Sequence, residues 1–220
     1  MEAPGTAATL YTGVAAKRAS TNPQCLPSAV RTGEPAEASK MRAAVVEILQ
    51  IVLLALVAFF ALHFIIQNFR IDGSSMEPNL HTGEYVIVNR AAYWLGGDPR
   101  RGDVIVFQAP DQPKYDRIKR VIGLPGETVE VRKDGTVYID GRQLEENYLS
   151  SRLNGPSGTW TVPAGEYFVM GDNRGVSYDS RAGGPVPHGN IIGKAWVIIW
   201  PIGNWGGAPN YSVTLQAASP

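Results

Sequence analysis

The 220-residue chain has a single cysteine, Cys25, which excludes an internal disulfide and every cysteine-rich metal motif. It has only three histidines, His63, His81 and His188, too far apart for metal-ligand spacing, so neither a metal site nor a cofactor is expected. It has no excess of one charge: 20 Lys and Arg balance 20 Asp and Glu, and no basic signature points to nucleic acid. Internal repeats are absent as well, and nothing in the sequence sets an oligomeric state.

What is present falls into unlike parts. Residues 1–40 are rich in Ala, Thr, Ser, Pro and Gly, a composition too poor in large apolar groups to offset the entropy of ordering. A disordered tail is expected over 1–42. The run from Ile48 to Ile66, ILQIVLLALVAFFALHFII, is different. As a helix it spans roughly 28 Å, close to the hydrocarbon core of a bilayer, with only Gln50 and His63 interrupting it near its ends. A transmembrane anchor is expected over 43–69, with the lipid bilayer as its partner; the competing reading is a core helix surrounded by a soluble domain. Arg31, Lys40 and Arg42 precede the run and Arg70 follows it, a bias that places the N-terminus in the cytoplasm and the remainder outside.

After the anchor the pattern shifts to short runs rich in β-branched and aromatic residues, separated by Gly, Pro and Asp. EYVIVN (84–89), DVIVFQ (103–108), TVEVR (128–132), TVYID (136–140), EYFVM (166–170) and AWVIIW (195–200) all favour strands, and KDG at 133–135 joins two of them as a hairpin. The expected fold is mainly β: one transmembrane helix, then a β-rich domain over 70–200 and a C-terminal tail over 201–220.

Candidate chemistry begins at IDGSSMEPNL (71–80), a hydroxyl-rich turn just past the apolar run. A linker is the plain reading of it. None of the histidines has a local context that marks a base. DRIKRVIGLPGE (116–127) offers a lysine instead. On a strand, Lys119 shares a face with Val121, while Ile118, Arg120 and Ile122 take the other. Among apolar groups its amine is desolvated and its neutral form favoured, so it can take a serine proton. A solvated strand lysine beside two arginines is the alternative. MGDNRGVSYDSR (170–181) is either a surface loop or a charge network of Arg174, Asp179 and Arg181, with Ser177 free to bond a nearby amine.

Taken together, these segments resemble the type I signal peptidases, membrane-anchored serine endopeptidases with a Ser-Lys dyad. The likeness runs in chain order over about residues 48–200: the anchor, IDGSSMEPNL, RGDVIVF (101–107), RIKRVIGLPGE (117–127), and GDNRGVSYDSR (171–181) followed by GPVPHGNIIGKA. The resemblance implies that Ser75, immediately before Met76, is the nucleophile and not Ser74. It makes Lys119 the base and Ser177 the residue that bonds its amine, with Asp179 and Arg181 as support. Gly73 stands where some members have a serine donor, so the oxyanion hole rests on backbone N–H groups, notably that of Ser75. Ile71, Met76, Leu80 and Ile118 are the expected pocket residues. Asn79 replaces the family's usual threonine. A small second β lobe fits between Lys133 and Arg174.

The implied reaction is removal of signal peptides from exported preproteins with small residues at the cleavage site, in an Ala-x-Ala pattern. The implied place is the outer surface of the plasma membrane, on a single-pass chain. Three other readings stay open: a self-cleaving Ser-Lys regulator of the SOS-repressor type, an inactive membrane-tethered β-rich binding or assembly module, and an organellar processing enzyme whose first 40 residues are partly a targeting segment.

Overall fold

The computed structural model describes residues 36–94, 96–151 and 155–217. The disorder expected over residues 1–35 lies outside them. Helix α1 runs from Ala36 to Ile65, so it begins inside the expected tail and ends short of the expected anchor boundary. Its stretch Ser39–Ile65, of mean hydropathy 2.7, is long and apolar enough to cross a membrane. Among the described residues its apolar side chains before Ile65 stay exposed: Leu54 is 70% exposed and Phe59 63%. The core-helix reading therefore fails, because such a row of apolar side chains needs lipid if the chain does not bury it. Ile66, which the hydropathy assigns to the anchor, instead opens a strand.

That strand, β1 (Ile66–Arg70), pairs antiparallel with β2 (Tyr85–Asn89). The remaining strands are β3 (Val104–Gln108), β4 (Asp116–Gly123), β5 (Thr128–Val131), β6 (Val137–Ile139), β7 (Arg142–Gln143), β8 (Gly158–Thr161), β9 (Glu166–Met170), β10 (Val186–Pro187), β11 (Ile191–Trp200) and β12 (Gly206–Gly207). The larger sheet has the order β1-β2-β11-β3-β4-β9-β10, with β12 added to β11; the smaller has the order β7-β6-β5-β8. All pairings are antiparallel. Each β-prone run of the sequence lies in a strand, and Lys133-Asp134-Gly135 turns between β5 and β6 as its residue types require. The smaller sheet corresponds to the expected second lobe, except that its strand β5 lies before Lys133, where the lobe was expected to begin.

Alternation explains the packing. On β3, Val104 joins Met76, Leu80, Val86 and Ile198 in one core, while Ile105 and Phe107 join Val121, Tyr167 and Val169 in another. A third core, under the smaller sheet, takes Ile122 from the end of β4 along with Val129, Ile139, Leu144 and Phe168. Strand β4 thus connects the two sheets, and both its faces are covered from Lys119 onward.

The C-terminal stretch differs from a tail. Asn210 accepts from Val104 N–H at 2.8 Å and donates to Ala195 O at 2.8 Å, and Leu215 bridges to Leu144. These bonds fill polar gaps in the large sheet and extend the small one, so residues up to 217 belong to the folded part.

Candidate active site

The turn after β1 is anchored by its own apolar residues. Ile71 N–H donates to Glu84 O and Gly83 N–H donates to Ile71 O, which closes the loop at its base. Inside it, Asn79 and Leu80 N–H groups both donate to Met76 O, making a compact helical turn. Ile71, Met76 and Leu80 are buried in the core beneath. With those three side chains held down, Ser75 faces outward and is half-buried, whereas Ser74 is exposed. Gly73 opens the turn with φ +98°. Among the described hydrogen bonds none uses the Ser75 N–H, so that donor is available.

Strand β4 delivers Lys119 to this turn. Its Nζ donates to Ser75 Oγ at 2.6 Å and to Ile118 O at 2.8 Å. The side chain is 4% exposed, which disposes of the solvated-lysine alternative. Burial lowers its pKa from 10.5 to about 8; Asp179 and Asp172 oppose that fall and Arg117 adds to it. Desolvation wins because, among the described residues, no carboxylate makes an ion pair with the amine. A buried amine that keeps no counter-charge can lose its proton near neutral pH.

The 171–181 loop packs on the same turn. Asn173 N–H donates to Ser75 O at 3.0 Å, and its Nδ2 donates to Ser74 O at 3.2 Å. A Cβ at Gly171 would collide with Ser177 Oγ and with the Ser75 carbonyl, so only glycine lets the loop approach this closely. Asp179 accepts from Gly171 N–H at 3.0 Å and makes a two-point pair with Arg181, at 2.8 Å on each oxygen. Burial alone would raise the Asp179 carboxyl, but the Arg181 bonds hold it below the usual carboxylate range. Asp179 also caps the one-turn helix α2 (Ser180–Gly183) by accepting from Arg181 N–H.

Several expectations need correction. Ser177 Oγ is buried beside the Asp179 carboxyl, which it helps hold low, and among the described residues it makes no hydrogen bond of normal geometry, so the bond expected to the Lys119 amine is not formed. Arg174 does not pair with Asp179: its guanidinium pairs with Glu146, and it meets the Asp179–Arg181 pair through its backbone carbonyl, which accepts from Arg181 Nη2 at 2.8 Å. Beside Ser75 and Lys119 lies a cavity of about 120 Å³ lined by Ile71 and Ile118 as expected, together with Phe69, Val106 and Asp116. Met76 and Leu80 do not line it, because both are wholly buried under the turn. Among the described residues, no group of three or more His, Cys, Asp or Glu side chains is placed to hold a metal ion.

The arginine beside the lysine was visible in the sequence, but the carboxylate it meets was not. Arg120, wholly buried, makes a two-point pair with Asp172 at 2.8 and 2.6 Å. Asn79, whose departure from threonine stood out, donates to Asp172 Oδ2 at 2.9 Å and to Tyr148 O at 3.0 Å. The signal available was weak: two polar residues among other polar residues, whose partners lie 52 and 93 residues away.

Comparison with known proteins identifies the family. Residues 44–200 match the family described as signal peptidase, peptidase S26. Signal peptidase I of Pseudomonas aeruginosa is 34% identical over 68% of this chain and 70% of its own length. Signal peptidase I T of Bacillus subtilis is 40% identical over 69% of this chain and 82% of its own. For signal peptidase I of Leptolyngbya laminosa the identity is 44%, over 67% of this chain and 77% of its own. The chain belongs to the signal peptidase family, peptidase S26, and is a membrane-anchored serine endopeptidase.

Proposed function

We propose that the chain carries out its family's reaction, removal of signal peptides from preproteins, with a Ser75–Lys119 dyad at the outer membrane surface. The observation that carries the dyad is the 2.6 Å bond between Lys119 Nζ and Ser75 Oγ, on an amine with no carboxylate partner. In the neutral form Lys119 takes the Ser75 proton, and Ser75 Oγ attacks the scissile carbonyl. The unengaged Ser75 N–H, on the turn opened by Gly73, stabilises the oxyanion, an effect of about 3–4 kcal/mol for one such donor. Lys119 then protonates the leaving amine and later activates the water that releases the acyl-enzyme. The buried Ser177 hydroxyl orients the amine once acylation removes its bond to Ser75, while Asp179 and Arg181 hold the loop.

The cavity fits a small side chain in volume; Phe69, Ile71, Val106 and Ile118 give it an apolar wall, and the charged Arg70, Asp72, Asp116 and Arg117 line the rest. It lies between residues 69–72 and 116–119. Strand β1 ends the sheet, and residues 116–119 pair only with β3. Both stretches offer free backbone edges, so an extended substrate segment can lie between them and place its small residue in the cavity. Ser75 follows Ile65 by ten residues, a reach of at most about 35 Å, which keeps the site near the membrane face where a cleavage site emerges. The basic residues Lys40 and Arg42 on the N-terminal side favour a cytoplasmic N-terminus.

The test is cleavage of a preprotein by the full chain in lipid. Ser75→Ala and Lys119→Ala should each abolish it and Ser74→Ala leave it largely intact; a lethal Ser74 change with an active Ser75 variant would assign the wrong hydroxyl. Added protease should reach the β-rich domain from the outer side only, and digestion from the cytoplasmic side would reverse the orientation.

A further inference from the structure

The family match ends at residue 200, yet one side of the buried Arg120 is built from residues beyond it. Arg120 Nη1 donates to Pro209 O at 2.7 Å and to Gly102 O at 2.8 Å. Its guanidinium carbon lies 4.2 Å from the centre of the Tyr148 ring and 5.0 Å from that of Tyr211, and the two rings stack with centroids 5.5 Å apart. Tyr211 OH donates to Asn79 Oδ1 at 3.3 Å. A Cβ at Gly102 would collide with the Tyr211 carbonyl, so the RGD turn leaves the room that the segment fills. Arg120 adjoins Lys119 on β4, and Asn79 lies in the same turn as Ser75. One short segment therefore grips both halves of the dyad from behind.

We propose that residues 208–215 are a positioning element of the active site, acting through Tyr211 and Pro209 on Arg120 and through Tyr211 on Asn79. The proposal rests on the Ser75–Lys119 reading. Arg120 is fixed by Asp172 on one edge, by two carbonyls on another and by aromatic rings, which leaves the strand at Lys119 no lateral freedom. Asn79 ties the turn to the same carboxylate. The charges that act on the Lys119 amine are Asp179, Asp172 and Arg117. Arg120 neutralises Asp172, so loosening Arg120 leaves more of the Asp172 charge to stabilise a protonated lysine. Since the neutral amine is the active form, the rise of activity with pH then moves to higher pH.

The experiment measures kcat, KM and their pH dependence for preprotein cleavage by the full chain and three variants. Truncation after Gly207 should lower kcat about thirty-fold, Tyr211→Ala about ten-fold and Tyr211→Phe, which keeps the ring and loses only the bond to Asn79, about three-fold. KM should stay within about two-fold throughout, because no substrate contact is lost. For the truncation and Tyr211→Ala, the midpoint of the pH limb should rise. Unchanged kcat, or a loss of activity with the pH limb unmoved, overturns the proposal; the second result would mark the segment as structural only. Lys119→Met separates the two readings. If that variant is inactive while the segment variants match the parent, only the positioning role falls; if it still cleaves, the dyad itself falls.

Discussion

Lys119 and Arg120 follow one another on β4, both carry a basic group, and both are buried, at 4% and 0% exposure. Arg120 has every direction occupied: Asp172 on two nitrogens, the carbonyls of Gly102 and Pro209, and the rings of Tyr148 and Tyr211. Lys119 has a serine hydroxyl and one carbonyl, and no carboxylate. Burial without compensation is costly to a charge, and the two residues meet that cost differently. The guanidinium cannot shed its proton, so the fold surrounds it with acceptors. The amine can, so the fold withholds a counter-charge and a base results. A buried cation is a support when its charge is answered and a reagent when it is not.

The largest expected effect comes from erasing that difference. Lys119→Arg puts a permanently charged group at the base position and should lower preprotein cleavage at least about 10³-fold, read from initial rates. Next is the opposite side of the strand. Arg120→Leu leaves Asp172 buried and unpaired and should cost about 3–5 kcal/mol in denaturant unfolding, whereas the double change Arg120→Leu with Asp172→Leu should recover a good part of it.

Lys119 itself should destabilise the fold. The unfolded chain holds the lysine proton up to 10.5 and the folded chain only up to about 8, so the unfolded state binds more protons between those values. The penalty is full below pH 8, declines as pH rises, and is gone above 10.5. Lys119→Met should therefore stabilise the chain at pH 7 by about 3 kcal/mol and by little near pH 10.5; equal effects at both would show that the amine is not desolvated. By the same protonation, cleavage by the parent chain should rise with pH to a midpoint near 8. The smallest effect is at Ser177, whose hydroxyl makes no hydrogen bond of normal geometry among the described residues: Ser177→Ala should lower kcat about ten-fold and leave thermal stability almost unchanged.

Legibility differed between these two neighbours for a physical reason. Lys119 was legible only through the resemblance of its segment and of the serine turn to a known family; spacing alone left open a solvated strand lysine between Arg117 and Arg120. Arg120 had no cue to its partners, since alternation on a strand says which face it takes and not what waits there. Asp172, Tyr148 and Tyr211 come from three distant stretches, and only folding brings them to one guanidinium. Arg174 was misassigned for the same reason: Asp179 was near in sequence, but Glu146 was near in space. The pocket residues divided likewise, with Ile71 and Ile118 at the cavity and Met76 and Leu80 beneath the turn. All four are apolar and close to Ser75, so composition could not tell wall from core.

By itself the sequence determined the anchor, the strands, the hairpin at 133–135 and the order of the motif segments. These follow from hydropathy, period and turn chemistry, which act over a few residues. Tertiary structure alone decided where the anchor gives way to β1, that residues 201–217 belong to the fold, and which buried cation is left without a counter-charge. Those outcomes depend on groups far apart in the chain competing for the same burial and the same hydrogen bonds, and that competition is settled only when the sheets close.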